Sequence, residues 1–376
     1  MHAAGSETCP RSVEELEDHL SRPSEQVVQT LATLDGDLIL LGVGGKMGPS
    51  MARMARRAFD EAGLRRRVIG VSRFSTVGLR EKLSSWGVET ISCDLLDAQA
   101  VRDLPDAALA VSMSGFKFGA STNPELTWAM NCYLPMLVGE RYARSRLVAF
   151  SSGNVYGMVE LPAGMVESAG NLRADAATAA DLPPFAWPSV LGIGSRESDA
   201  LRPDGEYAMT AVGRERMYGY ASQRWGFPLA LLRLNYATEL RYGVLVDLAR
   251  QVFNGEPIDL AMGFVNVIWL RDANAMALRA LGCAGQPAVT LNLAGRELLP
   301  VRQICRRIAR HMNREPVFLG EESASALLND GVAAYQQLGE PQIDIETMIR
   351  WTSNWVMQGG ENAGKPTRFQ VRNGRF

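Results

Sequence analysis

The stretch DLILLGVGGKMGPSMARMARRAF, Asp37 to Phe59, decides the fold. Leu38 to Leu41 is a short continuous apolar run, as expected of a strand buried on both faces of a parallel sheet. Glycines follow at 42, 45 and 48, and then an amphipathic helix with Met51, Met54 and Ala55 on its inner side. In a GxxGxxG run between strand and helix, the first glycine permits a tight turn and the second lets backbone approach a pyrophosphate. The third lets the helix pack on the strand. The helix N-terminus then offers unpaired N–H groups and a positive dipole end to phosphate. Gly42, Gly45, Lys46, Met47 and Gly48 are therefore the expected pyrophosphate cradle of a dinucleotide.

Working outward, VIGV (68–71), VETIS (88–92), ALAVSM (108–113), RLVAFSS (146–152) and PLALLRL (228–234) read as further strands with helical segments between them. Such alternation predicts an α/β protein with a Rossmann-type, doubly wound parallel sheet. We expect that domain to span 36–235, with an Ala- and Pro-rich insertion at 158–205. Residues 236–376 should form a smaller mixed α/β domain, mainly substrate-binding, with 264–295 returning to the sheet. ELLPVRQICRRIARHM and IDIETMIRWTSNWVM in that part are amphipathic helices. Residues 1–35 read as a helical extension: Ser12 with Glu15 makes a capping box, and Ser24 opens a second helix with Val27, Val28 and Leu31 inward. An unstructured extension is the alternative. The end of the chain, GKPTRFQVRNGRF, reads as a surface tail or as an arm that completes a site or a dimer.

Composition bounds the function. The 376 residues are 47% apolar with a net charge of −2, so no strong field favours nucleic acid or an anionic membrane. No apolar run is long enough for a membrane span, and MHAAGSETCP at the start lacks the apolar core of a signal peptide. Cys9, Cys93, Cys132, Cys283 and Cys305 are odd in number and unpaired in spacing, as for reduced thiols in the cytoplasm. With histidine only at 2, 19 and 311, neither a metal site nor a His-based triad is expected. Lysine occurs only at 46, 82, 117 and 365, so any catalytic lysine is one of these four.

The end of the second strand reads the adenosine ribose. An NAD site usually places a carboxylate there; this chain has Ser72 and Arg73. A guanidinium suits a 2′-phosphate, so NADP is expected, with NAD the alternative in which Arg73 stacks on adenine or faces solvent. After the third strand, Asp94 and Leu95 are placed to meet adenine, unless Asp94 merely caps the next turn.

Taken together, GVGGKMG, Asp94, SSGNVYG (151–157), Glu197, Tyr207 with Glu215, and RLNY (233–236) resemble the extended short-chain dehydrogenase/reductase family over about 36–300. These are the NAD(P)-dependent sugar epimerases and dehydratases. The resemblance implies that Tyr207 transfers the proton, that Ser152 hydrogen-bonds the reacting oxygen and that Asn131 orders the site. It also implies that Asn235, with Ser152 and Asn154, touches substrate. Ser114 and Lys117, in SMSGFKFG (112–119), resemble the small-residue-then-lysine pattern of UDP-galactose epimerases and imply contact with the cofactor. Two features depart from the family. Ala211 stands where the family keeps a lysine four positions after the tyrosine, and RLNYATELRYG replaces a run ending in Tyr-Gly-Pro. Without that lysine, Tyr207 is expected to be a proton donor rather than a strongly activated base, with water or the Lys117 ammonium filling the space at Ala211. The function implied is hydride transfer at a carbinol or carbonyl carbon of a small, sugar-like substrate. The alternative is a non-catalytic NADP-binding sensor or scaffold. A homodimer is implied through the Tyr207 helix, with Met217, Tyr220 and Trp225, and the helix at about 124–142.

Overall fold

The computed structural model describes residues 8–164 and 186–375. Seven strands form one parallel sheet: β1 (Leu38–Leu41), β2 (Val68–Ser72), β3 (Glu89–Ser92), β4 (Leu109–Ser112), β5 (Arg146–Ser152), β6 (Leu229–Leu234) and β7 (Val289–Leu293). Their order is β7-β6-β5-β4-β1-β2-β3. Leu41, the last residue of β1, sits beside Val71 of β2 on one side and Ser112 of β4 on the other. Strand order reverses there, and a crevice opens beyond the strands' carboxyl ends.

The apolar run of β1 is buried along its whole length because it faces two cores. Helices α1 (Val13–Leu20), α2 (Glu25–Thr33) and α3 (Gly48–Glu61) lie toward the N-terminus. Leu38 and Leu40 pack with Val27 and Leu31 of α2 and with Met51, Met54 and Ala55 of α3. Ile39 and Leu41 face the opposite side, against Val138 of α5 (Leu134–Arg141) and Tyr218 of α6 (Gly205–Trp225). The helix expected at about 124–142 is three pieces: α4 (Pro124–Trp128), a π-helical turn at Ala129–Tyr133, and α5.

A third core gathers α7 (Val244–Asn254), the start of α8 (Leu270–Cys283), α9 (Val301–Met312) and α10 (Ile345–Met357). Leu16 and Leu20 of α1 join this core, so the N-terminal segment bridges both halves. Ser12 Oγ accepts from the Glu15 amide, and Ser24 Oγ from the Val27 amide. His19 is wedged edge-on against Trp351 and Trp269, at 5.0 and 5.9 Å between ring centres. Of the Ala- and Pro-rich insertion, 165–185 lie outside the described residues. Among the described residues, no helix is long and apolar enough to cross a membrane.

Candidate active site

At the crevice beyond β1, Gly42 turns the chain at φ +89° while its amide donates to Val71 O at 2.9 Å. A side chain there would be strained and would strike Ser114 Oγ. A Cβ on Gly48 would collide with the Val43 carbonyl, so the third glycine lets α3 sit directly on the loop. Gly45 is uncrowded, its nearest neighbour for an added Cβ being Gly42 O at 3.5 Å. The helix α3 begins with no side-chain cap and with Pro49 in its first turn, so its leading amides are not taken by a capping side chain. Bare backbone, uncapped amides and Lys46 fit the pyrophosphate of a dinucleotide.

The loop opens into a cavity of about 360 Å³. Tyr207, Ser152, Lys117, Asn154 and Asn235 line it together with Gly42, Gly45, Lys46, Met47 and Gly48. Tyr207, near the start of α6, is buried against Ala120 and Val371. The Lys117 ammonium lies 5.3 Å from the centre of the Tyr207 ring, and burial pushes it down to about 8. Ser152 Oγ accepts from the Asn154 amide at 3.2 Å and donates to Asn154 Oδ1 at 2.9 Å. The Lys46 ammonium sits over the Tyr242 ring, 2.9 Å from its centre. Burial, then the charges of Lys365 and Lys117, drives it down to about 7, while Asp247 and Glu239 oppose the shift. Lys46 is partly open to solvent in the cavity, which moderates that shift.

Asn131 does not line this cavity. It lies behind it, fully buried, on the π turn. A π turn inserts one residue into a helix and re-aims the side chains around it. Asn131 Oδ1 accepts from the Phe116 amide at 3.1 Å and from Arg214 Nη2; its Nδ2 donates to Phe116 O at 3.1 Å and to Thr210 Oγ1 at 2.8 Å. It therefore ties the Lys117 loop to α6. The helix α6 is further fixed by buried polar contacts. Glu215 takes two hydrogen bonds from Arg233, at 2.9 and 2.7 Å, and one from Ser151 at 2.6 Å. Tyr218 OH donates to Ser112 Oγ at 2.7 Å.

Ala211 is not an opening onto the cavity. Its side chain is buried against Val155 and Tyr156, so apolar packing, not the Lys117 ammonium, takes the place next to it. The expected space for Lys117 at Ala211 is corrected accordingly. Arg214, seven residues after Tyr207, is the cationic residue on this helix that lines the cavity. The spacing 207, 211, 214 puts all three on one helical face, a signal present in the sequence.

Ser72, Arg73, Asp94, Leu95 and Ser114 lie outside the enclosed cavity. A Cβ on Gly44 would strike Ser72 Oγ, so Ser72 lies close to the glycine loop, and Arg73 is exposed. Asp94 Oδ1 accepts from the Leu96 amide at 3.0 Å, the turn-capping alternative, and Leu95 is a core residue. Asn235 Nδ2 donates to Asn266 Oδ1 at 2.9 Å. The C-terminal segment is not a plain surface tail. Thr367 lines the cavity and donates twice to Asp247, Val371 covers Tyr207, and Arg372 donates to Ser325 O at 2.7 Å. Sequence reasoning missed Glu239, Tyr242, Thr367 and Arg214 in the cavity wall.

No family model and no curated protein matches this sequence. Solved structures do. UDP-glucose 4-epimerase from Thermotoga maritima, with UDP-glucose, aligns at TM-score 0.62 and 15% identity over 86% of this chain and 99% of the other. What is shared is the fold, a parallel sheet flanked by helices. UDP-glucose 4-epimerase from Thermus thermophilus, in complex with NAD, aligns at 0.62 and 18% identity, covering 85% and 98%. UDP-glucuronic acid 4-epimerase from Bacillus cereus, in complex with NAD, aligns at 0.63 and 13%, covering 86% and 99%. The shared fold thus spans nearly the whole length of each of these proteins and most of this chain.

Proposed function

We propose that this chain is an NAD(P)-dependent oxidoreductase or epimerase that transfers hydride at a carbinol or carbonyl carbon of a sugar-like substrate. The observation that carries the reading is the meeting of Tyr207 and Ser152 with the glycine loop in one cavity. The cofactor, when bound, supplies the hydride acceptor or donor. This chain's residues do the rest. Ser152 holds the reacting oxygen, Tyr207 exchanges its proton, and the buried wall excludes water. The similar proteins named above were captured with UDP-glucose or NAD, which supports a nucleotide-sugar as substrate class. We assign NADP as preferred cofactor on Ser72 and Arg73, because Arg73 is exposed and follows Ser72, which lies close to the glycine loop at Gly44. We also assign a homodimer formed through α4 to α6, where Trp128, Tyr133, Met209 and Tyr220 leave large apolar side chains exposed. The reduced thiols fit a cytoplasmic protein.

The test is product analysis. The protein is incubated with NAD or NADP and a panel of UDP-sugars, and the sugars are followed by proton NMR. A changed sugar configuration or oxidation state supports the reading. Cofactor binding with every sugar unchanged would instead support a non-catalytic sensor.

A further inference from the structure

A permanent charge is buried in this site without a counter-charge. Arg214 is 5% exposed and lines the cavity. Its Nη1 donates to Phe150 O at 3.0 Å and its Nη2 to Asn131 Oδ1, both neutral acceptors. Its Nε has no partner, and among the described residues no carboxylate pairs with it. The neighbouring carboxylate, Glu215, is held by Arg233 and Ser151 instead. A guanidinium stays charged at any working pH, and a buried charge without a counter-charge is costly to hold. The fold nonetheless makes room for it. A Cβ on Gly115 would collide with Nη2, so the β4 loop is glycine where the guanidinium lies.

We propose that Arg214 is the permanent cation of the reacting centre, a positioning residue that stabilises the negative charge formed on the Tyr207 oxygen and holds Asn131 in place. Side chains on a helix lean toward its N-terminus. The guanidinium accordingly reaches Asn131, which bonds Thr210, whose hydroxyl donates to the Tyr207 carbonyl at 3.0 Å. Arg214 follows Tyr207 by seven residues, about two turns of the helix, and both side chains line the same cavity. The other charged or titrating groups around Tyr207 are Lys117 from the β4 loop, Lys46 from the glycine loop, and Tyr242 and Glu239 from the segment after β6. Both lysines lose charge near neutral to mildly alkaline pH; Arg214 does not. The step it serves is balanced. With a bound oxidised nicotinamide as hydride acceptor, the carbinol O–H proton would pass to the Tyr207 phenolate, leaving the neutral phenol and the substrate carbonyl.

This inference deepens the proposed function, yet its test does not need turnover. Phenolate formation in the cofactor-free protein is titrated by ultraviolet difference absorbance, with Tyr207→Phe identifying the Tyr207 signal. In Arg214→Gln the Tyr207 midpoint should move up by about one pH unit, the worth of a unit charge about two helical turns away. Arg214→Lys should hold the midpoint within about half a unit of the parent. Gly115→Ala, which displaces the guanidinium without deleting it, should shift the midpoint upward and serves if Arg214→Gln fails to fold. A midpoint unmoved in both Arg214→Gln and Gly115→Ala overturns the proposal. An inert protein whose midpoint still moves would defeat only the assigned reaction.

Discussion

Arg214 Nη2 and the Phe116 amide share one acceptor, Asn131 Oδ1, so a single buried carboxamide joins the Tyr207 helix to the Lys117 loop. The carboxamide uses both N–H groups as well, on Phe116 O and Thr210 Oγ1. Removing it takes a partner from two backbone groups, a hydroxyl and a cation.

Asn131→Leu is therefore expected to cost about 2–4 kcal/mol of stability, since buried polar groups lose their partners rather than being replaced. Urea unfolding of parent and variant measures this. A loss below about 0.5 kcal/mol would show that water or a rotamer change re-satisfies the hub.

Arg73→Ala should weaken NADP binding by roughly tenfold to a hundredfold, the worth of one charge-assisted contact to phosphate. NAD binding should be little changed. Fluorescence titration with both cofactors decides it, and equal losses for the two would remove Arg73 from the 2′-phosphate.

Lys46 links cofactor binding to pH. In the free protein its folded value, pushed down to about 7 by burial and by Lys365 and Lys117, lies below the unfolded value of about 10.4. Between those values the unfolded chain holds a proton that the folded chain lacks, so this contribution to stability rises with pH across that window. A pyrophosphate beside Lys46 favours the charged form. Binding should then take up protons at pH 8, and affinity should fall as pH rises past 7. Calorimetry in buffers of different ionisation enthalpy reads the uptake. Lys46→Met should abolish most of it, and an uptake unaffected by that change would assign the proton elsewhere.

Ending the chain after Gly364 removes Thr367 from Asp247 and Val371 from Tyr207. Turnover should fall roughly tenfold or more through misplacement of the phenol, while the circular dichroism of the sheet and helices is retained. A truncated protein of full activity would return the segment to the status of a surface tail.

Much of the sheet was legible because parallel strands buried on both faces are continuous apolar runs. Leu38–Leu41 and Arg146–Ser152 were read to the residue. The glycine loop was legible because each glycine answers a different close approach. The π turn at Ala129–Tyr133 was not, since the local pattern continues as helix and the extra residue follows from tertiary bonding of Asn131. The unpaired state of Arg214 was not legible, because its sequence neighbours do not reveal that Glu215 is already taken by Arg233. Asp94 had two readings in sequence, and the amide of Leu96 supplies the local one on Oδ1.

The central claim is that Tyr207 exchanges a proton during hydride transfer. Parent and Tyr207→Phe, each loaded with reduced cofactor, are mixed with a panel of keto-sugars and keto forms of nucleotide-sugars, and absorbance at about 340 nm is followed through one turnover. The account predicts decay in the parent and a rate lower by about a hundredfold or more in Tyr207→Phe, with cofactor affinity nearly unchanged because the pyrophosphate cradle is elsewhere. An equally fast Tyr207→Phe, or a parent that binds cofactor yet leaves the absorbance unchanged with every substrate, would contradict it.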